Sequence, residues 1–77
     1  MGARQGIAEL LDQMVGGQKA RLAALGRRIR PGLAEEDLVS PDDVPQLRDD
    51  PHFMYEAGVL AGLLAAQAAL RAWERED

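Results

Sequence analysis

The 77 residues include no cysteine, asparagine or threonine, and only one serine (Ser40), one histidine (His52) and one lysine (Lys19). Without cysteine, disulfides, thiolate metal sites and a cysteine nucleophile are excluded. Ser40 is placed to cap a helix and has no histidine near it in sequence, so a serine nucleophile lacks its base. Three aromatics, Phe53, Tyr55 and Trp73, leave packing to leucine and alanine. There is no glycine-rich phosphate loop, because Gly16-Gly17 falls inside a helical pattern with no strand before it. The absence of asparagine and threonine, with eight arginines to one lysine, points to a GC-rich genome. It is compatible with a thermophilic source, although the usual hyperthermophile signature is richer in lysine.

What is present is ordinary globular material, 47% hydrophobic and 29% charged, in one 8.4 kDa domain covering residues 1–77. Ordering a chain costs about 1.5 kcal/mol per residue, and a domain this small buries only about 60% of its unfolded surface. With no disulfide or zinc motif as a staple, self-association is the expected remedy. Arg4, Glu9 and Asp12 interrupt the first 15 residues, so no leader-like apolar region stands there. The longest uncharged run, Ala57–Leu70, includes Gln67 and spans about 20 Å as a helix, against about 30 Å for a bilayer core. A soluble, cytoplasmic chain with no membrane contact is expected.

The pattern predicts an all-α fold. Over about residues 4–29, Ala8, Leu11, Val15, Gln18, Leu22, Leu25 and Ile29 alternate three- and four-residue spacings, the a/d seam of a helix. Ile7, Leu10 and Met14 widen that face at its start, as in a bundle helix. Gly16-Gly17 predicts a kink or a close approach. Arg30-Pro31-Gly32 predicts the helix end, since the residue before proline is pushed out of the α region.

Residues of about 30–50 read as an acidic connector. Ser40-Pro41-Asp42-Asp43 carries a capping hydroxyl, a first-turn proline and an acid, a short-helix signature. Leu33, Leu38, Val39, Val44 and Leu47 give the segment something to bury, so it is expected to be ordered.

Asp50-Pro51 predicts the start of a second long helix over about 51–75. Ala57, Ala61, Ala65 and Ala69 recur every four residues beside Gly58, Gly62 and Ala66, with Leu60, Leu63, Leu64 and Leu70 on the other side. A helix apolar nearly all round is one buried on two sides. The leucines are expected to take the first helix, and Ala57, Gly58, Ala61, Gly62, Ala65, Ala66 and Ala69 a second copy of the chain. The expected architecture is two antiparallel helices, a helical hairpin, joined by the connector and dimerising into a four-helix bundle. Phe53 shares a stripe with Ala57, Leu60 and Leu64 and is expected in the core; Tyr55 and Trp73 suit an edge or interface.

Residues 1–30 carry a net charge of +4 and residues 31–56 a net −7, which suits solubility and ion pairing. Lys19, Arg21, Arg27, Arg28 and Arg30 form a basic cluster, but a sequence pI near 4.8 and the lack of interleaved aromatics argue against nucleic acid as a partner. His52 and Glu56, four apart on one helix face with Asp49 and Asp50 nearby, are the only set resembling metal ligands. Real sites need three or four convergent donors. Carboxylates in a solvated connector lack the desolvating walls that general-acid work requires. No enzyme and no cofactor is therefore expected. The function expected is a homodimeric protein–protein interaction or regulatory module, with the acidic connector available to a protein partner. The alternatives are a small metal- or ligand-handling protein built on His52 and Glu56, or an accessory subunit of a hetero-complex.

Overall fold

The computed structural model describes residues 3–76, and of residues 3–5, Val39 and Pro41 only the backbone. The described residues are all-helical, with a long N-terminal helix lying against a long C-terminal one. Helix α1 (Ala3–Ile29) is followed by α2 (Glu35–Val39), a 3-10 turn (Pro41–Asp43), α3 (Pro45–Arg48) and α4 (Pro51–Arg75). The whole is a rod 44 × 19 × 17 Å.

Helix α1 follows its predicted seam: Val15 and Leu22 are buried, and Ala8, Leu11, Gln18, Leu25 and Ile29 half-buried. It runs unbroken through Gly16 and Gly17, and nothing lies within 4 Å of where either side chain would begin. The pair neither breaks the helix nor marks a close approach within the chain. The helix ends at Ile29, and Gly32 turns the chain with φ of +85°, a conformation that favours a residue without Cβ.

The connector is more helical than its sequence suggests. Glu35, Glu36 and Asp37 supply an acidic first turn to α2, where carboxylates meet the positive end of the helix dipole. Asp37 accepts a hydrogen bond from the Ala34 N–H at 3.2 Å, half of a capping box whose other half needs a side-chain oxygen that alanine lacks. The segment after Ser40 closes only as the 3-10 turn, the Asp43 N–H bonding the Ser40 carbonyl. Pro45 then opens α3 as its first residue. Helix α4 starts as expected, with Asp50 accepting from the Phe53 N–H at 2.8 Å.

The core gathers at the connector end of the rod. Leu33, Val44 and Leu47 fold down onto Leu22 and Phe53, with Leu47 and Phe53 fully buried. The side chain of Val39 lies outside the described residues. Gly26 is the floor on which this closes: a Cβ there would stand 2.9 Å from methyls of both Leu33 and Leu38 and 3.3 Å from the Phe53 ring. Gly26→Ala should therefore destabilise by about 1–2 kcal/mol through overpacking, despite alanine's helix preference. Gly16→Ala, with open space around it, should stabilise by about 0.5–1 kcal/mol. Urea melts of the two variants should move in opposite directions.

Candidate functional site

Two polar contacts tie α1 to α4. Gln18 Nε2 donates to both the Glu56 carboxylate (2.8 Å) and the Glu56 backbone carbonyl (2.9 Å). Gln67 Nε2 donates to Asp12 at 2.7 Å. Along α4 the residues turned inward are Phe53, Glu56, Leu60, Leu63, Gln67, Leu70 and Glu74, a second three-four seam that passes through polar positions.

Flanks follow from these seams, because each residue step rotates 100°. Residues just after seam positions on both helices share one side: Lys19 and Ala23 of α1, with Ala57, Ala61 and Leu64 of α4, line a groove of about 600 Å³ closed by Glu35 and Leu38 of α2. This is the connector face. Beyond the groove, the same flank carries Glu9 and Asp12 on α1 and Arg71 and Arg75 on α4, all exposed. It is a solvated surface.

Residues just before seam positions share the opposite side. On α1 these are Ile7, Leu10 and Met14, which remain 47%, 56% and 45% exposed, then Gly17 and Arg21. On α4 they are Tyr55, Val59, Gly62, Ala66, Ala69 and Trp73, of which only Val59 is as much as half-buried. From Ile7 to Gly17 and from Val59 to Trp73 this face carries no charge. This is the open face.

The seven small residues expected to form one interface point in three directions. Ala57 and Ala61 flank the groove, Gly62, Ala66 and Ala69 lie on the open face, and Gly58 and Ala65 sit on the back of α4. Phe53 is in the core as expected, while Tyr55 and Trp73 are exposed. Ile7, Leu10 and Met14, which widen the apolar face at the start of α1, stand just ahead of the seam and so flank it rather than enter it.

His52 and Glu56 do come together, His52 Nε2 lying 3.8 Å from Glu56 Oε2. Asp49 does not join them. Its carboxylate takes the Arg48 Nε at 3.2 Å, and that hydrogen bond, with the charge behind it, raises the guanidinium above its ordinary value. Among the described residues no three His, Asp or Glu side chains converge on a metal-sized site. Glu56 is buried as the acceptor of Gln18, so its place is explained without a ligand. By length and composition α4 is also apolar enough to cross a membrane, with 11% of its apolar stretch buried.

No family model, curated protein or solved structure matches the chain.

Proposed function

We propose that the chain acts as a homodimeric protein–protein interaction module, two hairpins forming a four-helix bundle whose acidic connectors face a protein partner. One observation carries this reading. The chain exposes 5327 Å², where a folded monomer of its mass exposes about 4,600 Å². The excess, about 700 Å², is close to the roughly 800 Å² that each partner buries in a standard interface. Its radius of gyration, 14.7 Å, is likewise long against about 11.5 Å for a lone compact domain of this length. Both departures suit a single two-helix layer awaiting a second.

The same reading keeps the protein in aqueous solution in the cytoplasm. Glu56 and Gln67 of α4 bond to α1 along its length, and moving α4 into lipid would strip those partners away. Glu35, Glu36, Asp42 and Asp43 are exposed at the connector end, a concentrated negative surface of the kind that steers encounter with a basic partner. Light scattering should give twice 8.4 kDa at micromolar concentration. A folded species of 8.4 kDa at every concentration would overturn the homodimer, and recovery with the membrane fraction after alkaline extraction would overturn the soluble assignment.

A further inference from the structure

We infer that a second copy of the chain docks on the open face, with the two-fold axis parallel to the rod so that both connectors lie at the same end. This rests on the homodimer reading and specifies its surface. The open half of the connector face carries Glu9, Asp12, Arg71 and Arg75 and needs no cover. The equivalent half of the open face carries Ile7, Leu10 and Met14 in a ridge, and Gly62, Ala66 and Ala69 in a furrow beside it. Large exposed apolar side chains grouped without intervening charge mark an association surface.

Self-complementarity selects the occupant and the axis. The Gln18–Glu56 and Asp12–Gln67 bonds place Leu10 and Met14 level with the stretch of α4 that includes Gly62, Ala66 and Ala69. A two-fold rotation about an axis along the rod keeps every level and sets α1 over the partner's α4, an isologous contact. Each ridge of α1 then lies over the furrow of the partner's α4. Small residues in that furrow allow the helices to approach closely. The same rotation brings Arg21 over the aromatic ring of Tyr55 in the other copy, a cation–π arrangement. An axis perpendicular to the rod would instead set Arg21 and Arg28 against the opposite end, where Ile7, Leu10 and Met14 would meet charge.

The absence of cysteine makes the test clean. Arg30, exposed one residue past the end of α1, is replaced by cysteine and labelled with a nitroxide in the full chain, and the label-to-label distance is measured in the dimer. Connectors at one end should give at most about 34 Å, twice the 17 Å thickness of the rod. A longer distance, approaching the 44 Å length of the rod, would overturn this docking while leaving a dimer standing; a monomeric mass would overturn the underlying reading as well. In parallel, Leu10→Asp with Met14→Asp should halve the mass with helical circular dichroism retained. Gly62→Leu should also split the pair, whereas Ala61→Leu, in the groove, should leave the mass unchanged. A dimer that survives both open-face variants would refute the assigned surface.

Discussion

Phe53→Ala should unfold the protein at room temperature or leave it barely folded, with a loss of about 3–5 kcal/mol. The phenylalanine is fully buried and sits where Leu22, Leu33, Val44 and Leu47 converge, against the floor at Gly26. Only six apolar side chains among the described residues are buried, and five of them form this cluster, so no second cluster can hold the connector down once this one has a hole. A chain of this length commands a total stability of only several kcal/mol. Circular dichroism with urea should show the midpoint fall sharply or the transition vanish. A midpoint within about 1 kcal/mol of the parent would mean that the connector is not what closes the fold.

The second large effect concerns the buried amide–carboxylate contact. Gln18→Leu removes both hydrogen bonds that Glu56 receives from it and leaves a carboxylate, buried along the seam, with only the exposed His52 at 3.8 Å. Losing a hydrogen bond to a buried charged group costs about 1.5–3 kcal/mol. Replacing both partners behaves differently: Gln18→Leu with Glu56→Leu supplies two apolar side chains of similar volume to a stretch of the seam flanked by Val15, Leu22, Phe53 and Leu60. The double variant should recover most of the loss and match or exceed the parent. A double-mutant cycle by chemical denaturation reads the coupling directly. If the double variant is as unstable as Gln18→Leu alone, the contact does more than satisfy itself, and the pair must be fixing the register of α1 against α4.

Much of this architecture is legible in the residues, and the places where it is not have physical reasons. The seam of α1 emerges from spacing alone because its members are nearly all apolar, and the one exception, Gln18, keeps the period. The seam of α4 is hidden, because Glu56 and Gln67 occupy inward positions that a hydrophobic pattern skips. Beside them the four-residue rows of alanine and glycine draw the eye to a surface that twists around the helix rather than following one side. Helix α2 escapes notice since its signal is a run of acids, equally suited to a solvated loop. The importance of Gly26 cannot be seen in a one-dimensional pattern, where it resembles Gly16 and Gly17; only the closure of Leu33 and Leu38 over it separates the three. His52 and Glu56 look like ligands at four-residue spacing, and it takes the opposite helix to supply Gln18 as the true partner.

Concentrating the buried cluster at one tip of the rod has a consequence for how the molecule comes apart. Amide protection against deuterium should decline along α1 and α4 from the connector toward Ala3 and Arg75, because the far ends are held by two-helix contact alone and open with little penalty. The tethered tip would be the last region to exchange. A second chain laid along the rod would lift protection most where the isolated hairpin has least, so the far ends would record each association event as a local tightening.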